Sequence, residues 1–522
     1  MQRRRLLQTA AAAGLARPAL AQGNSRVLRF VPQANLANPD PIWTTTVVAR
    51  NHGYVIWDTL FSLDAGLIPR HQMLAGHVVS DDKLTWRLTL REGLLWHDNE
   101  RVRAVDCVTS LARWMKRDGF GQRIASQLDE MRAVDDRTIE LRLKRPFPLM
   151  PYALGQGSCF MMPERMAKTD AFQQITEYVG SGPYRFVRDE WVSGSKAVYA
   201  KFDRYVPRDE PASFTSGGKR ANFDRIEWII MPDAATAAAA LQTGEVDWVE
   251  QPLADLLPVL RRAPGVVVEN VDLLGVIGII RFNHLHPPFN NPKLRQAILP
   301  AIDQTDFLAA IMGSETSLTR SGVGYFTAGT PMANDVGLSA LTGKRDIALA
   351  RKLVAESGYK GEKVVLMAPT DFAVVNAIAQ VTRGVFEQIG LNVEYVTADW
   401  GTVVSRRASR ESVEKGGWSV FTTYGDGLAY ANPATHTALW GSGLQGWFGW
   451  PTSPRIEAGR AAWYDAPDIE AQARLGREIQ AVAFEEVPFI PIGQWFQPIA
   501  RRTNLTGMVK SILPVFWNVS KT

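Results

Sequence analysis

The sequence predicts an α/β protein with mixed sheets and more than one domain. At 522 residues the chain is longer than one hydrophobic core usually accommodates. From residue 223 onward, strand patterns alternate with amphipathic helix patterns, and each of three helix patterns ends at a glycine: Gly244, Gly358 and Gly390. This alternation is typical of sheets that are covered by helices.

The first 21 residues have the features of a secretory signal. They hold four arginines and no acidic residue, then an Ala/Leu-rich core and a small-x-small cleavage site ending at Ala21. The arginines before Leu6 are similar to a twin-arginine signal, and Sec export is equally compatible with them. The apolar core is too short to span a bilayer, and no cysteine lies at the cleavage site. We therefore expect a soluble periplasmic protein that neither spans the membrane nor carries a lipid anchor.

Charge and cysteine content limit the partners. The net charge is +5, but the four signal arginines account for most of it, so the exported chain would be nearly neutral. That balance gives no electrostatic reason to expect nucleic acid. The two cysteines, Cys107 and Cys159, are expected to be small buried thiols, although a disulfide is permitted in the periplasm.

The first half of the chain reads mainly as strands. Residues 84–117 read as a strand (LTWRLTL), a turn (REG), a second strand (LLWHDNE) and a helix (AVDCVTSLARWMKR). Residues 27–33 (VLRFVPQ) and 135–147 also read as strands. Farther on, FDRIEWIIMPD reads as a strand and the next segment as a helix capped by Asp233.

The stretch from Val276 to Gly313 has the clearest local signals. An apolar run of strand length is followed by a turn, HPPFNNP. Asn291 then caps a helix with Pro292 at its first position. Pro300 should end or kink that helix, and Asp303 should start the next one.

Several segments, in the same order, resemble the extracellular solute-binding proteins of family 5, which are the peptide-, nickel- and oligosaccharide-binding components of ABC importers. The resemblance runs from about residue 26 to the C-terminus and includes residues 84–117, GSGPYRFVRDEW and the PD…GEVDW segment. In the stretch from Val276 the matching residues are Phe282, Asn283, Pro288, Phe289, Arg295, Gln296, Ala297, Ile298, Ala301, Ile302 and Asp303. Pro300 departs from the family pattern.

The resemblance implies a periplasmic binding protein fold of type II: two hinged α/β lobes with an additional satellite domain and mixed sheets. It places the divisions as follows: residues 1–21 as signal peptide, 22–59 plus 180–278 plus 489–522 as a discontinuous lobe I, 60–179 as satellite domain and 279–488 as lobe II.

The sequence gives no support to catalysis, and we expect no enzyme activity, cofactor or metal. It lacks a G-x-S-x-G elbow, an H-E-x-x-H helix and a P-loop. The single G-x-G-x-x-G, at Gly441, Gly443 and Gly446, has no strand-turn-helix unit around it. His284 and His286 lack further ligands nearby, so we interpret them as structural.

A peptide held between two lobes needs a partner for its ammonium, its carboxylate and its amides. By resemblance, Asp426 would grip the ammonium, beside Tyr424, unless it serves only as a turn residue. Trp400 would line the pocket or pack in the core, and Arg406 or Arg407 would receive a carboxylate or lie on a solvated helix face. The loop at Thr44 and Thr45 falls where relatives pair backbone with ligand.

The sequence thus predicts a monomeric periplasmic component of an ABC importer that captures peptides or peptide-like solutes and delivers them to a permease with its ATPase. Sixteen tryptophans leave an oligosaccharide open as ligand, because aromatic faces also suit sugars. A metal chelate is a further ligand class for the same fold. Two different kinds of function also stay open: a secreted hydrolase with an unrecognised site, and a periplasmic sensor or chaperone subunit.

Overall fold

Two large mixed sheets organise the chain in the computed structural model, which describes residues 26–155 and 157–522. The predicted signal at residues 1–21 lies outside the described residues. We call the part built on the seven-stranded sheet the first lobe and the part built on the six-stranded sheet the second lobe. A four-stranded antiparallel sheet lies within the residues predicted as the satellite domain.

The strand Val27–Val31 lies in the middle of the seven-stranded sheet and runs parallel to both of its neighbours. The helix Ala234–Thr243 begins and ends as predicted: the Asp233 carboxylate accepts a hydrogen bond from the amide of Thr236, and Gly244 adopts a φ of 81°. In spatial order the strands are Val266–Glu269, Ile499–Arg502, Trp248–Val249, Val27–Val31, Arg225–Ile229, Lys196–Lys201 and Tyr184–Phe186.

The strand Val276–Phe282 is buried along its whole length, as the sequence predicts, and pairs antiparallel with a neighbour on each side. The six-stranded sheet runs in the order Thr319–Arg320, Phe489–Trp495, Val276–Phe282, Val420–Asp426, Lys363–Pro369 and Asn392–Ala398, with its last three strands parallel.

The helices after this strand follow their capping signals. The Asn291 side chain accepts from the amide of Lys293, and the helix Pro292–Ile298 has its proline at the first position. Around Pro300 the chain forms a short 3-10 turn, and a new helix, Gln304–Met312, is capped by Asp303. Both predicted effects are confirmed.

One strand that the sequence predicts is missing from the four-stranded sheet. Its strands are Leu74–Val79, Thr85–Leu90, Thr138–Leu143 and Leu128–Ala133 in spatial order. The segment LLWHDNE is not among them, because it folds back on itself: Leu95 makes a single bridge with Arg101, and Asn99 has a φ of 73°. A residue in the left-handed region ends an extended run.

The other elements complete the layers. Two small strand pairs join Phe61–Leu63 to Pro69–His71 and Leu505–Thr506 to Ser520–Lys521. The remaining α-helices are Val47–Ile56, Ala104–Trp114, Gly119–Gln127, Met150–Leu154, Glu164–Ala167, Leu257–Arg262, Ser339–Thr342, Ile347–Glu356, Ala373–Gln388, Trp400–Arg406, Pro454–Tyr464 and Ile469–Glu486. Cys107 and Cys159 are both buried free thiols.

The chain crosses between the two large sheets twice, in residues 270–275 and 496–498. The buried side chain of Gln494 donates to the carbonyl of Leu274 at 2.6 Å and so ties the two crossings together. Residues 489–495, assigned from the sequence to lobe I, pair within the six-stranded sheet. The division into lobes and a satellite remains a prediction, but the two crossings are where a hinge would act.

Candidate ligand-binding site

A small cavity lies between the two lobes, beyond the carboxyl end of the strand Val27–Val31. It encloses about 50 Å³, room for a few water molecules. Gln33 and Thr45 line it from the first lobe. From the second lobe it is lined mainly by Trp400, Arg407, Tyr424 and Trp447. A neighbouring groove shares part of this lining, so the two spaces together form the candidate site.

The sequence positions Trp400 through the start of a helix. Asp399 caps the helix Trp400–Arg406 by accepting from the amide of Thr402 at 3.0 Å. The amide of Trp400 donates to the Asp371 carboxylate at 2.7 Å. The indole packs edge-on against Phe372, with 5.3 Å between ring centroids. These contacts fix the aromatic wall of the cavity.

Arg407, which follows that helix, is the most unusual group in the site. Its side chain is buried, yet among residues 26–155 and 157–522 its guanidinium donates a hydrogen bond only to the Thr45 hydroxyl, at 3.4 Å, and its Nε has no hydrogen-bond partner. Its guanidinium carbon lies 4.7–6.0 Å from the ring centroids of Phe448, Trp447, Phe421 and Trp400. Burial lowers the pKa of Arg407 to about 10. Within the described residues no carboxylate forms a salt bridge with it, so the cavity presents an uncompensated positive charge.

Neutral hydrogen-bonding groups lie on the other side of the cavity. The Tyr424 hydroxyl contacts the Gln33 side chain, and the Gln251 amide donates to that hydroxyl at 3.1 Å. Burial raises the pKa of Tyr424, so the phenol stays neutral. The cluster joins the lobes, because both glutamines belong to the first and Tyr424 to the second.

Asp426 lies behind the cavity, among buried charges. One of its carboxylate oxygens accepts from the amides of Leu428 and Ala429, and the other contacts Arg50 of the first lobe. Glu250, close by, accepts from the amide of Gln33 at 2.7 Å, and burial raises its pKa to about 7.

The structure brings four of the predicted site residues to the cavity: Thr45, Trp400, Arg407 and Tyr424. The other three lie elsewhere. Thr44 accepts from the amide of Thr46 within its own loop, and Arg406 donates to the carbonyls of Gly416 and Gly417. Asp426 forms the turn that its flanking glycines allow, in addition to its contact with Arg50.

Sequence reasoning missed four residues of this region: Gln33, Arg50, Gln251 and Trp447. Two of them carried a usable signal. Gln33 and Gln251 each follow a strand of the first lobe, where ligands of α/β sheets commonly bind. Arg50 had none, because its partner is 376 positions away.

Known proteins are similar to this chain in sequence. The model of the bacterial extracellular solute-binding proteins, family 5 (middle), matches residues 69–446. The probable peptide ABC transporter periplasmic-binding protein y4tO of Sinorhizobium fredii is 37% identical over 518 residues, which cover 98% of this chain and 97% of that protein. The glutathione-binding protein GsiB of Salmonella typhi is 26% identical over 492 residues, covering 91% and 90% of the two chains.

Solved structures share the fold. The periplasmic binding protein AgaA from A. tumefaciens R10, in complex with agropinic acid, matches with a TM-score of 0.78 at 19% identity, covering 95% of this chain and 99% of that one. DppA from Helicobacter pylori, in complex with the peptide STSA, matches with a TM-score of 0.79 at 19% identity, covering 95% and 98%. The predicted type II periplasmic binding protein fold is confirmed. In the described residues, none of the helices has both the length and the apolar character that a membrane crossing needs.

Proposed function

This chain belongs to the bacterial extracellular solute-binding proteins of family 5, and from that premise we propose that it is the periplasmic substrate-binding component of an ABC importer. It captures a peptide or peptide-like solute between its two lobes and delivers it, as a monomer, to a membrane permease with its ATPase. It performs no reaction of its own. The relative y4tO, named as a probable peptide ABC transporter periplasmic-binding protein, supports this ligand class.

The buried guanidinium of Arg407 is the observation that carries the proposal. A buried cation without a partner is costly, and a ligand carboxylate would supply the missing charge and hydrogen bonds. The planar guanidinium of arginine matches a carboxylate in geometry and can donate two parallel hydrogen bonds to it. Peptides and related acids carry such a group at one end.

The remaining lining suits the rest of such a molecule. Trp400 and Trp447 offer apolar faces to side chains without selecting one sequence. Gln33, Gln251 and Tyr424 offer amide and hydroxyl groups that can exchange their mutual hydrogen bonds for bonds to a ligand amide. The site therefore combines one charge contact with neutral recognition of a backbone.

Binding requires the lobes to separate and close again. Both lobes line the cavity, so a ligand that fills it enters while the lobes are apart. Contacts such as Arg407 with Thr45 and Arg50 with Asp426 form only when they meet. A ligand that touches both lobes therefore favours the closed form.

The test compares two neighbouring arginines. We expect Arg407→Met to weaken binding of a pooled library of free and N-acetylated dipeptides about a hundredfold, which corresponds to about 2.7 kcal/mol. Native mass spectrometry of the purified protein measures the bound fraction. Arg406→Met is the matched control, since Arg406 bonds to loop carbonyls outside the cavity, and it should stay within about twofold of the unaltered protein.

A second measurement uses the same dipeptides with their C-termini amidated. The amidated library should bind no better than background, because it lacks the carboxylate that Arg407 would receive. Equal binding of the acid and amide libraries, or unchanged binding by Arg407→Met, would overturn the proposal.

A further inference from the structure

The carboxylate of Asp426 is fully engaged within the protein. One oxygen accepts from the amides of Leu428 at 3.1 Å and Ala429 at 2.9 Å, and the other contacts the Arg50 guanidinium. Asp426 is 4% exposed and is absent from the lining of the cavity. A ligand ammonium would have to replace Arg50 to reach it.

Among the described residues, Arg50 forms a salt bridge with Asp426 alone. Its Nε and Nη2 are already buried without partners, so the contact with Asp426 is the one charge-balancing contact that the described residues give it. Glu250 and Asp272 also interact electrostatically with Arg50. The oxygens of Glu250 accept from Gln33 and Asn51, Asp272 accepts from the amides of Leu274 and Gly275, and burial raises the two pKa values to about 7 and about 6. A ligand that displaced Arg50 would leave a second buried cation without a partner, in addition to Arg407.

The charge of the cavity lining also disfavours a ligand ammonium. Arg407 is the charged residue in its lining. The neighbouring groove adds one carboxylate, Asp371, which accepts from the amide of Trp400 at 2.7 Å. A ligand carboxylate would be stabilised in the cavity, whereas an ammonium would be desolvated beside a like charge. The hydrogen-bonding groups that remain, on Gln33, Gln251 and Tyr424, are neutral and suit an amide nitrogen.

We propose that the solute is a carboxylic acid whose amino nitrogen is acylated, such as an N-acyl amino acid, an N-blocked short peptide or a lactam, and that Arg50 occupies the place of a ligand ammonium at Asp426. This inference rests on the proposed function, because it refines the ligand class of the same site. A free peptide is a poor ligand, since its ammonium would meet Arg407 in the cavity while Arg50 holds Asp426.

The direct test compares the free dipeptides of the library with the N-acetylated ones. The unaltered protein, incubated with equal amounts of free and N-acetylated dipeptides, should retain the acetylated members at least about tenfold more strongly in native mass spectrometry. Free dipeptides bound equally well or better would overturn the inference. Binding of the C-amidated library tests the carboxylate contact of Arg407 separately. Failure of the proposed function and failure of this inference are therefore distinguishable.

A pair of variants tests the role of Arg50. Arg50→Met leaves Asp426 without its cation, and the ratio of free to acetylated dipeptides bound should rise at least about tenfold. The double variant Arg50→Met with Asp426→Asn removes the anion as well and should restore the preference for acetylated members. An unchanged ratio in a folded Arg50→Met protein would contradict the inference. Should thermal unfolding show that this variant does not fold, the library comparison on the unaltered protein decides alone.

Discussion

Buried charge is used differently in two regions of this molecule. Where the first lobe meets the four-stranded sheet unit, Arg113 and Asp40 form an ion pair at 2.7 Å with side chains 1% and 0% exposed. The guanidinium also donates to the carbonyls of Thr169 and Gln173, and the carboxylate accepts from three backbone amides. In the cavity between the lobes, Arg407 is equally buried but makes one long hydrogen bond.

The difference indicates which charges support the fold and which await a ligand. A buried charge whose donors and acceptors are all used holds its surroundings in one arrangement. A buried charge with unused donors destabilises its site until a complementary group arrives. The Arg113–Asp40 pair therefore joins two structural units permanently, whereas Arg407 is completed only in a complex.

The largest expected effect concerns stability at the Arg113–Asp40 pair. Asp40→Asn leaves Arg113 buried without its counter-charge, so we expect the free energy of unfolding to fall by about 3–5 kcal/mol. Urea denaturation followed by tryptophan fluorescence measures this.

Arg407→Met gives the contrast, because it removes a buried charge that has no carboxylate to leave behind. We expect its free energy of unfolding to stay within about 1 kcal/mol of the unaltered protein. Equal losses in the two variants would mean that the two regions do not differ as described.

Local signals made much of the fold predictable. Asp233, Asn291 and Asp303 each cap a helix through a backbone amide two or three residues away, so the information is contained in a short stretch. The segment LLWHDNE failed because a strand needs a neighbour, and the chain offers it only the bridge between Leu95 and Arg101.

The next effect concerns the pH dependence of stability and arises from Glu250, near the cavity. Burial raises the pKa of Glu250 from 4.5 to about 7, so the folded state holds this proton more tightly than the unfolded chain. The stability that this group contributes is therefore complete below about pH 4.5 and is lost as the pH rises through about 7. Over that interval this group alone lowers the free energy of unfolding by up to about 3 kcal/mol. The buried histidines His52, His97 and His436, whose pKa burial lowers, contribute with the opposite sign, so the effect of Glu250 is measured as a difference between variants.

Between about pH 4.5 and 7, Glu250→Gln should gain up to about 3 kcal/mol of stability relative to the unaltered protein, whereas Glu245→Gln, at an exposed position, should follow the unaltered protein at every pH. Burial also raises the pKa of Asp118 and of Asp272 to about 6, but both variants retain these groups, so their contributions cancel in the comparison. Urea denaturation at a series of pH values measures each slope. A Glu250→Gln protein with an unaltered slope would show that Glu250 titrates normally.

The candidate site was less predictable than the fold, for a physical reason. Arg406 and Arg407 are adjacent at the end of one helix, and the direction in which each side chain points depends on the packing of distant aromatic residues. The engagement of Asp426 depends on Arg50, which reaches it from the other lobe. The sequence identifies groups that can carry charge, but their pairing arises from contacts between remote segments.

The smallest effect tests whether the cavity contacts depend on lobe closure. The Thr45 hydroxyl of the first lobe accepts from Arg407 at 3.4 Å and from the Trp447 indole at 3.3 Å, both in the second lobe. Thr45→Val removes these bonds, and loss of about 0.5–1.5 kcal/mol should weaken binding of the acetylated dipeptide library about two- to tenfold. Thr44→Val removes a hydroxyl whose contact stays within one lobe, so its affinity should remain within about twofold.

Because Thr45 is exposed, neither bond belongs to the core, and urea denaturation should show no change for Thr45→Val. If Thr45→Val lowered stability and left affinity intact, the contact would support the fold in the manner of the Arg113–Asp40 pair rather than the closed complex.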